Sequence, residues 1–290
     1  MYTIENNYLK VSITTKGGSL TSIYDKRLNK ELLYQPIEGS WQSQDIVIFP
    51  FIAKIKNDTY TIDNKPYVMQ KHGLLRYREL NLINKTKDSI TLGKVSDNDT
   101  LKEYPYKFDF KVNYTLINNT LKLTYTVRNI DSKSIYYSLG GHPAYQIKGK
   151  LINNIYEFDN AYITFNKKIN LNRYVLNEDG SLITGIENIG YKDRIDITKS
   201  LLKKVKTLIL DATEIDYVEL HNDNDVIKFN INNAKTLAIW TMYDNGNYIC
   251  VEPWWGIPDY ENPILELKDK PLIEELEQSS TKEYYFETSY

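Results

Sequence analysis

Between Val112 and Val127 apolar and polar residues alternate with a period of two: Val112, Tyr114 and Leu116 in a first run, Leu121, Leu123, Tyr125 and Val127 in a second. Such a period sends one set of side chains to each face of a strand. Asn118 and Asn119 lie between the runs, and asparagine tolerates the positive φ that a tight hairpin needs. The segment is expected to be an antiparallel hairpin with one wet face, and the rest of the chain has to fit around it. Similar short runs recur at 9–13, 19–24, 60–62, 89–92, 162–165, 208–210, 217–220, 226–231, 237–242 and 248–251. Turn-forming clusters separate them, at Lys16-Gly17-Gly18, Asp63-Asn64, 96–99, 221–225 and 244–247. Many short strands with turns between them predict an all-β sandwich or barrel, not strands alternating with helices.

Composition agrees. There are 25 tyrosines against 13 glycines and 9 prolines, and tyrosine suits a half-buried strand because its ring packs on the pleat while its hydroxyl reaches water. Only two short helices are expected, at 200–205 with Ser200 as the cap and at 271–276. No linker, low-complexity tract or repeat divides the chain, so one domain over residues 1–290 is expected. A body of that size buries roughly 75% of its unfolded surface and needs no metal or disulfide as a staple.

Charge and cysteine content remove several function classes. Lys plus Arg is 36 and Asp plus Glu 38, which argues against nonspecific binding to nucleic acid or an anionic membrane. The single cysteine, Cys250, excludes an intrachain disulfide framework and any cysteine-based zinc cluster. There is no apolar run of 18 residues, and the opening stretch alternates like a strand instead of following the profile of a signal peptide. A soluble, cytoplasmic monomer or homodimer is expected, with no cofactor and no metal, since no nucleotide or metal motif occurs.

Two of the three histidines sit in unusual surroundings. His142 lies in Gly140-Gly141-His142-Pro143 after an apolar strand, where the glycines permit close backbone approach and Pro143 restricts the histidine to extended geometry. His72 lies in His72-Gly73-Leu74-Leu75-Arg76, and His221 among Asn and Asp in a turn, as a surface residue. Glu252 follows an apolar strand and precedes Pro253, Trp254 and Trp255. Desolvation there would raise its pKa toward that of a useful base, and the indoles could stack on a sugar's C–H face. The same residues equally suit the end of an edge strand with tryptophans in the core. Together they suggest acid–base chemistry on a small neutral polyol.

At these residues the chain resembles the aldose 1-epimerase (galactose mutarotase) family, and within it the LacX-like branch. The matching stretches are 49–55 with 60–67, then 72–76, 140–145 and 252–258, in the family's order. The resemblance implies an antiparallel β-supersandwich and cofactor-free interconversion of the α and β anomers of a hexose. His142 would protonate the ring oxygen, and Glu252 would take the proton of the C1 hydroxyl, side chains about a sugar ring's width apart. His72 would hold a sugar hydroxyl and Asp211 matches the family's substrate-binding aspartate, while the Glu252-Pro253-Trp254-Trp255 segment itself predicts that at least one of Trp254 and Trp255 walls the pocket. Lys54 stands where galactose mutarotases carry a substrate-binding arginine. A lysine cannot make the same bidentate contact, and the LacX-like pattern gives that role to Arg76.

Two other functions compete. A hexose-phosphate 1-epimerase would need several cationic donors, and Arg76 with Arg78 is the close pair, sent to one face if the segment is a strand. A non-catalytic carbohydrate-binding protein would not require an acid and a base together.

Overall fold

A computed structural model of the chain describes residues 1–152, 155–158 and 160–290. The hairpin forms as expected: Phe108–Ile117 pairs with Thr120–Asn129, Ile117 opposite Thr120, and Asn118 turns the chain at φ +53°. Val112, Tyr114, Leu116, Leu121, Leu123, Tyr125 and Val127 are all buried, and the residues between them are partly open.

The hairpin belongs to a 15-stranded sheet that runs from Val47–Ile48 through Leu139–Gly141, Tyr248–Trp255, Thr236–Trp240, Leu208–Asp211 and Ala161–Leu176 to Tyr217–Asn222 and Asp225–Asn230. It continues through Thr281–Ser289, the hairpin and Ser89–Val95 to Asn81–Lys85. A separate four-stranded meander, Tyr2–Glu5 to Lys30–Glu31, lies outside that order. Its Ile4, Leu9, Val11, Ile13 and Ile23 join the same buried cluster as Val112, Leu123, Ile163, Val218 and Phe286. This is the layered all-β architecture that the alternation predicts.

Three local expectations are corrected. The helix near 200 spans Lys199–Val205, and its cap is Thr198, whose hydroxyl accepts the N–H of Leu201; Ser200 lies inside it. Residues 271–276 are not helical: Leu272 turns at φ +54° and Glu274–Leu276 pairs with Ile135–Tyr137. His221 is not in a turn but in the strand Tyr217–Asn222, its ring stacked 4.5 Å from that of Tyr162.

The tyrosines go deeper than half-buried. Tyr60, Tyr104, Tyr114 and Tyr137 have at most traces of exposed surface, and each hydroxyl finds a partner inside. Tyr114 donates to the Gly18 carbonyl (2.6 Å), Tyr60 to that of Glu103 (2.6 Å) and Tyr104 to that of Tyr136 (2.8 Å), while Tyr137 meets the Tyr284 hydroxyl at 3.0 Å. Orphaned in the core, each hydroxyl would cost about 1–3 kcal/mol, so these bonds let a tyrosine-rich chain fill its interior.

Candidate active site

His142 and Glu252 are brought together by strand register. Leu139–Gly141 and Ala144–Gln146 both pair antiparallel with Tyr248–Trp255, with Gly140 opposite Trp254 and Ala144 opposite Cys250. One register serves both ladders, and interpolation puts residue 142 opposite residue 252. Directly opposed residues have Cβ atoms about 4.5–5.5 Å apart, and the imidazole Nε2 lies 3.3 Å from Glu252 Oε2. The expected separation of a sugar ring's width is therefore wrong: the two side chains are in contact. The strands press together there because Gly140 has no side chain; a Cβ on it would stand 2.4 Å from Trp254 Cδ1.

Both groups are removed from water, and burial is the main influence on each. It pushes the Glu252 carboxyl well above the ordinary carboxylate range, against a smaller opposing pull from Lys71. It drives the His142 imidazolium down to about 3. Burial thus favours the neutral form of both groups, a protonated Glu252 carboxyl beside an unprotonated His142 ring. Behind it, Asp45 accepts the backbone N–H groups of Leu20 (3.0 Å) and His142 (3.3 Å), and burial lifts its pKa to about 6. His142 Nδ1 has no partner among the described residues. Its ring is flanked by Trp41 at 5.0 Å and Trp240 at 5.7 Å between centroids.

The pair lines a concave cleft open to solvent. His72, Lys54, Arg76 and Trp254 line it too. The His72 ring stands edge-on to that of His142 at 5.3 Å, and its Nδ1 accepts the N–H of Ala53 at 3.3 Å. That bond assigns the ring proton to Nε2. The loop is clamped by Gly73 at φ +76°, where any Cβ would fall 2.1 Å from the Phe49 carbonyl oxygen, and by the Leu74 N–H, which donates to that oxygen at 2.9 Å. Arg76 sits in a short 3-10 turn, Leu75–Tyr77, instead of a strand. Arg78 consequently leaves Arg76 and pairs with Glu103.

Two expected residues lie elsewhere. Trp255 faces the core, 5.3 Å from Tyr284 and 6.4 Å from Tyr125 between ring centroids. Strand neighbours point to opposite faces, so Trp254 shares the face of Glu252 and Trp255 cannot. Asp211 is absent from the lining. The cleft reaches Thr207, just before its strand, and Ile209 within it, and Asp211 lies two residues, about 7 Å, beyond Ile209. Its carboxylate accepts the N–H (3.0 Å) and hydroxyl (2.8 Å) of Thr213. Sequence reasoning missed Trp41, Lys71, Ser181, Thr207 and Trp240, all of which line the cleft. Lys71 adjoins His72 in sequence and was the findable one.

A metal has poor footing here. Cys250, His142 and Glu252 offer ligand atoms within 4.8 Å of one another, but burial holds the Cys250 thiol well above its ordinary pKa. Burial raises the Glu252 carboxyl likewise, so two of the three groups resist giving up the proton that a metal must displace. What the site offers is an imidazole and a carboxyl 3.3 Å apart, with Glu252 Oε2 and His142 Nδ1 both lacking a hydrogen-bond partner among the described residues.

Relatives share this architecture. A galactose mutarotase related enzyme from Lactobacillus acidophilus superposes with a TM-score of 0.92 at 28% identity, covering 100% of this chain and 96% of that one. A galactose mutarotase-like protein from Lactobacillus casei gives 0.93 at 28% identity, over 100% and 99%. The chromosomal LacX protein of Lactococcus lactis is 25% identical over 93% of this chain and 92% of its own length. These likenesses identify the fold as the galactose mutarotase-like β-supersandwich. Among the described residues no helix is long and apolar enough to cross a membrane. Residues 1–274 match the family described as Aldose 1-epimerase, a family that acts on sugars, and the chain belongs to it.

Proposed function

We propose that the protein is an aldose 1-epimerase that interconverts the α and β anomers of a hexose by general acid–base ring opening, acting as one domain over residues 1–290 without a cofactor. The observation that carries this reading is the contact between His142 Nε2 and Glu252 Oε2 on the wall of the cleft. Opening a hemiacetal takes a proton from the C1 hydroxyl and delivers one to the ring oxygen as the C1–O bond breaks. Both oxygens are attached to C1, so acid and base belong side by side instead of across the ring.

The proton count balances. Transfer of the Glu252 proton to His142 gives an imidazolium beside a carboxylate. His142 then donates to the ring oxygen while Glu252 accepts from the C1 hydroxyl. The aldehyde stands beside a pair that again holds one proton, on Glu252. Rotation about C1–C2 and the reverse steps close the ring on the other face. His72 Nε2 holds a hydroxyl, Lys54 and Arg76 bind a polar substituent of the sugar, and Trp41, Trp240 and Trp254 supply apolar wall.

Anomer exchange measured by NMR on freshly dissolved hexoses tests the reading, because it sees the reaction without a coupling enzyme. Exchange above the spontaneous rate, abolished in His142→Asn, supports it. Saturable sugar binding without exchange would instead identify a carbohydrate-binding protein.

A further inference from the structure

The cleft holds more positive charge than a neutral hexose needs. Lys54, Lys71 and Arg76 line it together, and among the described residues none has an ion-pair or side-chain hydrogen-bond partner. Arg76 has only the face of Tyr77, at 5.0 Å. The three are near enough to act on one another: after desolvation, the main cause, and against an opposing pull from Glu252, Arg76 and Lys54 both lower the pKa of Lys71. Arg76, half-buried, is likewise lowered by its burial. Three carboxyl groups come near. Glu252 lines the cleft, but burial shifts its carboxyl toward the neutral form. Asp45 is buried behind His142, turned to the backbone of Leu20 and His142. Asp179 is exposed at the rim, where it accepts the N–H of Ser181 at 2.9 Å and acts on Lys54 and Lys71 from a distance. At most one of these faces the three cations as an anion at the mouth of the cleft.

Like charges gathered in a partly desolvated pocket oppose one another, and a ligand of opposite charge turns that cost into charge-assisted hydrogen bonds. We propose that the hexose carries an anionic group, which Lys54, Lys71 and Arg76 bind while His142 and Glu252 act at C1. This rests on the epimerase reading above and names its substrate class. The chemistry also restricts where the group is attached. A hemiacetal opens only if its C1 hydroxyl is free, so the anion is borne on another carbon, as a phosphate monoester or a carboxylate.

The test compares kcat/KM for anomer exchange of glucose, 6-O-methylglucose, glucose 6-phosphate and glucuronate, by wild type, Arg76→Gln and Lys71→Met. The expected result is a preference of about 100-fold or more for one anionic sugar over both neutral ones, the scale of a few charge-assisted contacts. Each variant is expected to lower that ratio about tenfold or more, and added salt to erode it. The phosphate and uronate arms say which anion is recognised. Equal turnover of neutral and anionic sugars, or a ratio unmoved in both variants, overturns the proposal. If no sugar exchanges at all, the epimerase reading fails separately, and tryptophan-fluorescence titrations then decide this one. Glucose 6-phosphate or glucuronate binding about tenfold tighter than glucose sustains an anionic-sugar site. Equal binding of glucose, or inorganic phosphate binding as tightly as the sugar phosphate, removes it.

Discussion

Glu252→Gln is expected to make the protein less active and more stable at once. The native carboxyl has 1% of its surface exposed, and its pKa is raised by burial from an unfolded value of 4.5. An acid whose pKa is raised by folding binds its proton more tightly in the native state. Its contribution to stability is intact below pH 4.5 and falls as pH climbs toward the native pKa. At pH 7 the loss is at most that set by the distance from the unfolded value, on the order of 3 kcal/mol. Glutamine has the shape of the protonated carboxyl, does not titrate, and can still meet His142. For a chain of this length 1 kcal/mol is about 1.6 °C in Tm, so the variant is expected to melt up to about 5 °C higher at pH 7. The gain should shrink to nothing near pH 4.5. Without a group that passes the proton, turnover should fall about 10²–10⁴-fold. Thermal melts of both proteins at half-unit steps from pH 4.5 to 8, with anomer exchange on the same samples, read both effects. A difference in Tm that is flat with pH, or that favours wild type increasingly as pH rises, would refute a neutral buried Glu252.

His142→Asn is expected to lose turnover on the same scale, about 10²–10⁴-fold, while His221→Asn, at a ring stacked on Tyr162 outside the cleft lining, should leave anomer exchange within about twofold of wild type. Because the Asp45 charge raises the Glu252 pKa, Asp45→Asn should shift the alkaline limb of the pH–rate profile to lower pH; an unmoved limb would detach Asp45 from the pair. Activity should survive exhaustive chelation by EDTA, and loss restored by one specific divalent ion would overturn the metal-free reading.

The sheet was legible wherever one face is wet, because only there does the period of two survive. The 108–129 hairpin is the clear case, with Asn118 as its turn. Central strands lose that signal: Thr236–Trp240 is buried at four of five positions, so nothing in its sequence says which side chains face a ligand, and Trp240 reads as core. Trp41 lies in a segment without period. The apolar run at 248–251 stops short of Pro253, and proline is rare in central strands; the strand nonetheless runs through it to Trp255. Accepting that continuation would have sorted the tryptophans by parity alone, Trp254 with Glu252 and Trp255 against it. Asp211 was misplaced for a different reason, since the reach of a strand past a cleft depends on tertiary position. The register that sets His142 opposite Glu252 joins residues far apart in sequence, and no local pattern encodes it.

The two prolines that obscured the strand shape the site. Continuing the register between the ladders sets Pro143 opposite Val251 and Gly141 opposite Pro253. The Val251 N–H still reaches the Pro143 carbonyl, stretched to 3.4 Å, but Pro143 has no N–H to return. Pro253 has none either, and it presents that edge to the His142 side, since its carbonyl oxygen is what a Cβ on Gly140 would approach, at 2.9 Å. The two rungs that flank His142 and Glu252 therefore each lack a donor, and the named ladders stop at Gly140 and resume at Ala144. Proline fixes φ as well, so this opening is set before any sugar arrives. Pro253→Ala restores a donor facing Gly141 and lets the ladder close by one rung. The new bond offsets the entropy lost with the proline, about 1 kcal/mol each way, so melting should change little. His142 is pulled out of line with Glu252, and kcat should drop about tenfold or more with KM nearly constant. Hydrogen exchange at the residue 253 amide reports whether the rung has formed. A protected amide with undiminished kcat would show that the open ladder has no part in aligning the acid and the base.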